Sequence, residues 1–511
     1  MSTSVHPHHV TPLQRQSVAR TLRTPSWLKT EVLGALVVGL ALIPEAIAFS
    51  VIAGVDPQVG LFAAAIMAMT LAVTGGRPAM ISAATGATAL VMAPLVASHG
   101  VNYLIAAVIL AGIFQIVLGA VGFARIMRFV PRSVMVGFVN ALGILLFIPQ
   151  LEELIDVPWA VYPVAAVALL IVFGLPRLTT AVPAPLVAIL VLTPVVVLLG
   201  LNVPTVSDKG KLPDSWPQLI VPDVPYTLET LQIIAPFALT MAVVGIMESL
   251  MTAKLVDDIT DTPSNKTRET WGQGVGNVVS GMFGTMGGCG MIGQTMINVK
   301  ASGARTRIST FMSGVFLLLL VVLLGEIVGT IPMAALAAIM IFVAWATFDW
   351  HSIRPSTLRR MPLSETVVML VTVAVTVATH NLALGVAAGV LAAMIGFARR
   401  VAHVVTVERT VDSPAGADPT SAPTDDAVAT YRVRGELFFA SSNDLYTQFR
   451  YAEDPATVVI DFSESHIWDA STVAAVDAVT DKYRAHGTTV KIRGLNLPSR
   501  RMRARLSGTM Q

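Results

Sequence analysis

A single cysteine, Cys289, stands in 511 residues, so no internal disulfide framework can staple this chain. Charge is scarce as well. Charged residues make up 13% against 54% hydrophobic, which is too apolar for an ordinary soluble protein. A formal net charge of +2 offers no basic surplus of the kind that nucleic-acid binding needs, so no nucleic-acid partner is expected. Residues 1–29 lack an apolar core followed by a cleavage site. No cleavable signal peptide is therefore expected, and the first apolar run serves as its own insertion signal. No nucleophile–base constellation is visible, which argues against an enzyme. Around Asp257, Asp258 and Asp261, with Lys266 and Arg268, the spacing of a calcium loop is missing. That stretch reads as a solvated cytoplasmic loop. His6, His8 and His9 read as part of a polar tail and not as a metal site; no metal or cofactor is expected.

What the chain does have is apolar runs. They predict spans near 31–52, 58–75, 87–98, 102–122, 132–150, 159–175, 183–201, 230–255, 271–285, 291–299, 308–328, 330–348, 364–380 and 382–398. An even count with the N-terminus inside puts Arg77, Arg125, Arg132, Lys266, Arg305, Arg359 and Arg399 in one set of loops. The opposite set holds Lys209 and Lys211 as its only basic residues, among Glu152, Glu153, Asp156, Asp208, Asp214, Asp223 and Glu229. That asymmetry places both termini in the cytoplasm.

Two carboxylates interrupt this pattern. Glu45 follows Pro44 inside the run 32–53, and Glu248 lies inside 233–253. An acid at bilayer depth costs on the order of 3 kcal/mol even on lenient scales, so it faces a polar cavity and has a function there. The proline is expected to kink the helix where the acid lies. Two short segments, 80–94 (MISAATGATALVMAP) and 284–300 (GTMGGCGMIGQTMINVK), start with small residues and glycine before turning helical. Such interrupted segments, one in each half of a chain, point to a binding site at mid-membrane. A half-helix beginning there leaves its first amides unpaired and its positive end facing a cavity, which seats an anion without a buried lysine or arginine.

The runs IPEAIAF at 43–49, ISAATGATALV at 81–91, GQGVGNVVSG at 272–281 and NVKASGARTR at 298–307 resemble the SulP family of anion transporters, bacterial relatives of the animal SLC26 proteins. The resemblance covers nearly the whole chain. It implies about fourteen spans as two inverted seven-span repeats, a core and a gate domain, half-helices at spans 3 and 10, and usually a homodimer in the lipid of the cell (inner) membrane. It implies secondary active transport of a small inorganic or organic anion (sulfate, bicarbonate or dicarboxylate) by an elevator-like slide, with H⁺ or Na⁺ as coupling ion. Proton-coupled symport is the first expectation, and the alternatives are a Na⁺-coupled bicarbonate symporter or an uncoupled anion channel or exchanger. By the same resemblance, Glu45 and Glu248 are proton-coupling residues. Glu248 with Thr252 one turn later is a possible sodium site. Thr85, Gly86, Ala87 and Thr88 start one half-helix, and Gly290, Met291, Ile292 and Gly293 start the other. Gln294 falls where many animal relatives carry an arginine, and its amide is expected to donate to an oxyanion. Phe49 is expected at the cavity wall.

The end of the chain reads differently. Within the expected linker 401–428, residues 411–426 form a Pro/Ser/Ala/Asp/Thr stretch. Strands are expected at 431–439, 456–464 and 488–495, with helices at 441–453 and 471–486. This stretch resembles a STAS domain, giving a cytoplasmic tail at 1–29, a transport domain at 30–400 and a cytoplasmic α/β STAS domain at 429–511. Ser471 matches a serine that is phosphorylated in soluble STAS proteins, whereas the alternative is that Asp469 or Ser471 merely caps the helix.

Overall fold

The computed structural model describes residues 17–125, 130–178, 183–402, 405–412, 427–442 and 445–507. His6, His8, His9 and residues 413–426 of the expected linker lie outside the described residues. The chain divides into two compact units, Met1–Val390 and Leu391–Gln511.

Every expected span coincides with a helical element. They are α1 (Pro25–Ala53), α2 (Pro57–Thr74), α3 (Gly86–His99), α4 (Val101–Ala120), α5 (Arg132–Glu152), α6 (Val161–Leu178) and α7 (Ala184–Leu198). The second half repeats the series with α8 (Leu228–Thr260), α9 (Lys266–Met282), α10 (Ile292–Met296), α11 (Arg307–Leu323), α12 (Met333–Thr347), α13 (Leu363–Thr379) and α14 (Leu382–Ala402). A π-helical turn, Ile297–Ala301, extends α10. Among the described residues α1, α2, α4, α5, α6, α8 and α14 are long and apolar enough to cross a membrane. Their ends follow local rules. Pro25 and Pro57 open α1 and α2 in the first turn, where a missing N–H costs nothing, and Gly54 closes α1 in the left-handed region at φ 73°. Helix α9 starts five residues before its expected apolar span because the Asn265 side chain accepts from Arg268 N and caps it. Helix α1 runs unbroken past Pro44, with the Ser50 hydroxyl bonded to Ala46 O at 2.8 Å.

The helices sort into two groups. Helices α1–α4 and α8–α11 pack on one another, and so do α5–α7 with α12 and α13. Small residues allow the closest approaches in the first group. A Cβ at Gly274 on α9 would lie 2.5 Å from Gly112 O on α4, and one at Gly112 would lie 2.6 Å from Gly274 O. Without a hydrophobic drive between helices in lipid, this backbone contact is a main source of cohesion. Gly274→Leu is accordingly expected to cost about 1–3 kcal/mol or more through overpacking, read as a lower unfolding temperature in detergent.

Buried polar groups fasten the same group at the loop ends. Glu31, 1% exposed, accepts from Arg305 N, Thr306 N and Ser309 N at 2.7–3.0 Å and caps α11 from α1. Arg268 and Arg307 donate to carbonyls of residues 72–75 at the end of α2. The loop expected to be solvated is tied in as well. Asp257 pairs with Arg77 at 3.0 Å and Lys266 at 2.7 Å, and Arg77 is only 7% exposed. Arg77 from the turn after α2 and Lys266 at the start of α9 keep this acid from being a free surface group.

The second unit carries a four-stranded sheet in the order β3-β4-β5-β6, where β3 is Thr406–Asp412, β4 Val428–Leu437, β5 Thr457–Ile467 and β6 Thr489–Arg493. Strands β3 and β4 are antiparallel and the other pairs parallel. Helix α15 (Ala470–Ala485) makes the β5–β6 crossover, and α16 (Leu497–Leu506) follows. Tyr431, Val433, Ile460, Phe462, Val476 and Tyr483 form the core. Strand β3 falls inside residues read as linker from the sequence. In the described part of the helix expected at 441–453, a helical turn, Phe439–Ser442, and a 3₁₀ turn, Leu445–Gln448, stand instead of one continuous helix. The reason is tertiary. Asp454, with a fully buried side chain, binds Arg409 at 2.8 Å and the Tyr431 and Tyr483 hydroxyls at 2.6 and 2.5 Å. The Tyr431 oxygen in turn accepts from Arg450 N at 3.0 Å. A side chain from β4 thus takes the Arg450 amide that a helix would have used.

Candidate functional site

Two extended dipeptides meet at the centre of the first unit. Strand β1 (Ser82–Ala83) pairs antiparallel with β2 (Cys289–Gly290), Ser82 opposite Gly290 and Ala83 opposite Cys289. The next residue, Met291, donates from its backbone N to Ile81 O at 2.9 Å. Each strand leads directly into a short helix, α3 from one side and α10 from the other. The crossing needs bare backbone, since a Cβ at Gly288 would sit 1.9 Å from Ala83 O. The glycine cluster therefore serves strand crossing as well as helix starting.

Thr85 caps α3 in a reciprocal box with Thr88, and Thr88 N is bonded to Thr85 Oγ1 at 3.3 Å. The amides of Gly86 and Ala87 are the first two of the helix and have no acceptor within it. Met291 precedes α10 without a side-chain cap, so the amides of Ile292 and Gly293 are in the same position. A cavity of about 510 Å³ lies beside both starts. Glu45, Phe49, Thr85, Gly86, Glu248, Met291, Ile292, Gly293 and Gln294 all line it. Ala87, Thr88, Gly290 and Thr252 are buried behind its wall. A Cβ added at Gly86 would meet Leu146 Cδ2 at 2.4 Å and the Phe49 ring at 3.1 Å, whereas one at Gly293 would meet nothing within 4 Å. The first glycine is packed; the second faces open space.

Among the described residues lining the cavity there is no lysine, arginine or histidine. Positive potential comes from the helix ends alone. The two acids are held differently. Glu45 Oε1 accepts from Gln294 Nε2 at 2.9 Å. Glu248, 8% exposed, accepts from the Cys289 thiol at 2.9 Å, and Cys289 Sγ lies 3.1 Å from Thr85 Oγ1. A chain of polar groups thus links α8, β2 and the cap of α3.

Two expected ligand groups also hold partners within the protein. Gln294, expected to donate to an oxyanion, gives one of its two amide N–H groups to Glu45. The buried Gln294 Oε1 is the atom with no partner among the protein groups. An unsatisfied buried acceptor costs about 1–3 kcal/mol. Glu248 and Thr252 were expected to offer oxygens jointly to a cation. The Thr252 hydroxyl instead donates to the carbonyls of Glu248 and Gly290 at 2.8 and 3.1 Å, while the Glu248 carboxylate turns to Cys289. Each group thus holds an internal hydrogen bond, and lone pairs remain on both. No group of three or more metal-ligating side chains occurs among the described residues.

Cys289 was passed over in the sequence, although its place one residue before Gly290 marks it as part of the strand that opens α10. The opposite wall was missed too. Phe138, Leu142 and Leu146 of α5 and Phe342, Val343 and Ala346 of α12 close the cavity with apolar surface, and apolar residues in apolar helices carry no signal. In the second unit Ser471 is exposed in the first turn of α15, which Asp469 caps by accepting from Thr472 N at 3.0 Å.

Paired half-helices enclosed by apolar spans, with a small α/β domain attached, define a multi-pass membrane transporter. The family profile described as "Sulfate permease family" matches residues 28–168 and 155–372, and that described as "STAS domain" matches 420–508. The "Putative sulfate transporter YbaR" of Bacillus subtilis (strain 168) is 47% identical over 473 residues, covering 93% of this chain and 96% of that protein. Among solved structures, the transmembrane domain of a cyanobacterium bicarbonate transporter BicA superposes with a TM-score of 0.62 at 26% identity, over 72% of this chain and 97% of that one. The murine Slc26a9 anion transporter in the inward-facing state superposes with a TM-score of 0.77 at 15% identity, over 97% and 92% of the two chains, a likeness of fold. The chain belongs to the sulfate permease (SulP/SLC26) family and carries the C-terminal STAS domain expected from its sequence.

Proposed function

We propose that this protein is a secondary active transporter that takes up a small oxyanion together with a proton. The observation that carries the reading is the cavity itself. Two half-helix starts supply amide donors, no fixed cation lines the cavity among the described residues, and two carboxyl groups share the wall. An anion beside an ionised Glu45 is repelled, so protonation of that group and anion binding favour each other. Sulfate and bicarbonate are the substrates to test first, because they are named for the relatives. A dicarboxylate is the third, since helix-end amides accept any of these oxyanions.

Proton coupling is preferred to sodium coupling because a sulfur, a poor ligand for sodium, stands beside Glu248. An elevator-like slide is supported by the division of the wall. The ionisable and amide groups Glu45, Glu248 and Gln294 all belong to the α1–α4 and α8–α11 group, and the facing α5 and α12 surface is apolar apart from Thr347. Such a surface offers few hydrogen bonds to break as the core moves. The charge asymmetry of the loops supports insertion into the cell (inner) membrane with both termini in the cytoplasm. A homodimer is proposed from the family resemblance and is read from the mass of the detergent-solubilised particle.

The test is uptake into proteoliposomes of labelled sulfate, bicarbonate and fumarate, with an inward proton gradient and then with sodium alone. Proton-driven uptake that persists without sodium is expected. Uptake that requires sodium, and is lost in Glu248→Ala, would overturn the choice of ion. Conductance without coupling would make the protein a channel. Ser471→Asp is expected to leave uptake unchanged; a clear change would instead favour regulation by phosphorylation.

A further inference from the structure

Gln294 leaves a buried carbonyl oxygen unpaired in the wall of the anion cavity. The side chain is 1% exposed, lines the cavity, gives its Nε2 to Glu45 and leaves Oε1 without a protein partner. A buried polar atom left in this state calls for an explanation. The chemistry of the amide supplies one. An ionised carboxylate only accepts hydrogen bonds, so it fixes the amide with N–H towards Glu45. A protonated carboxyl has an O–H to donate, and its natural partner is the amide oxygen.

We propose that Gln294 is the group that converts the proton on Glu45 into anion affinity, by reversing its amide. With Glu45 ionised, one N–H is engaged and the buried carbonyl oxygen beside the anion seat is left unpaired, its dipole opposing an oxyanion. When Glu45 takes a proton from the aqueous side, its O–H donates to Gln294 Oε1. The terminal torsion turns by half a revolution and the two N–H groups become available to the anion. One proton is bound and no covalent bond other than that O–H is made. The inference rests on the proton-coupled reading above and adds to it a positioning residue that links the two ligands.

Other ionisable groups near Glu45 are few. Glu248 of α8 lines the same cavity and is bonded to Cys289. Helices α2, α7 and α12 contain no ionisable residue. Helix α3 has His99 in its last turn, α5 has Arg132 and Glu152 at its ends, α11 has Arg307 at its start and the turn after α10 has Lys300. On α1 itself Lys29 and Glu31 lie more than three turns away in sequence. Glu248 is thus the one competitor for the proton within the cavity.

The test is a double-mutant cycle on purified full-length protein, measuring sulfate and bicarbonate binding across pH together with proton uptake per anion. Glu45→Gln supplies a permanent N–H to the Gln294 carbonyl and holds its amide turned to the cavity. Its affinity is expected to equal or exceed that of the wild type at acid pH, and to stay there as pH rises. Gln294→Met keeps length without an amide. It is expected to bind about tenfold more weakly at acid pH, with the pH dependence of affinity flattened. The double variant should match Gln294→Met, because the gain from Glu45→Gln passes through the amide. Gln294→Asn, too short to reach both partners, is the second variant and should behave as Gln294→Met does. Wild-type pH dependence in either folded Gln294 variant, or additive effects in the double, would overturn the inference while leaving proton coupling intact. A wild-type protein whose binding and uptake ignore pH would overturn both.

Discussion

Glu45→Gln is expected to abolish the pH dependence of uptake while leaving anion binding measurable. The carboxyl lies against the seat formed by the α3 and α10 starts and is tied to Gln294 at 2.9 Å. Wild-type uptake should fall as pH rises, because the ionised form repels the anion and each pH unit above its titration point costs a further factor of up to about ten in the competent population. The amide variant is neutral at every pH. Its uptake down an anion gradient should vary by less than about twofold over the range in which the wild type changes by an order of magnitude. It should also fail to accumulate anion against a gradient, since no proton is carried. An unchanged pH profile would remove Glu45 from the coupling step and leave Glu248 as the proton carrier.

The second large effect is steric. A Cβ at Gly293 would meet nothing within 4 Å, and the residue lines the cavity. Gly293→Phe should therefore fold normally and place its ring over the amides of α10. Loss of uptake by at least about a hundredfold is expected, because the anion would forfeit charge-assisted hydrogen bonds from buried amides, each worth about 1.5–3 kcal/mol. A thermal unfolding temperature near that of the wild type would show that the seat, and not the fold, has been removed. Gly86 does not allow this experiment. A side chain there collides with Leu146 and Phe49, so its variants would confound blockage with misfolding.

The contrast between these two glycines shows what the sequence makes legible. Lipid requires every spanning backbone to satisfy itself, so spans announce themselves as contiguous apolar runs. The rarity of intramembrane acids singles out Glu45 and Glu248. Glycine and threonine in 80–94 and 284–300 mark where the helices are interrupted. All of this is local. The pairing of Ala83 with Cys289, the thiol on Glu248 and the direction in which Gln294 gives its N–H depend on partners up to about two hundred and fifty residues away. No periodicity encodes them. Strand β3 is a different case, because its exposure alternates residue by residue along Thr406–Asp412. That period of two was present in the sequence, next to a proline-rich stretch that obscured it. The helix expected at 441–453 fails for a tertiary reason, the capture of the Arg450 amide by the Tyr431 hydroxyl, which Asp454 holds in place.

The central claim is that one carboxyl, Glu45, binds a proton whenever the cavity beside it binds an anion. The most direct measurement is simultaneous recording of labelled anion and internal pH in proteoliposomes of the full-length protein, with the outside acidic and sodium absent. The account predicts that anion accumulates above its external concentration, that the interior acidifies in step with it, and that both signals vanish together in Glu45→Gln. Accumulation with no movement of protons, or acidification that persists in Glu45→Gln, would contradict it.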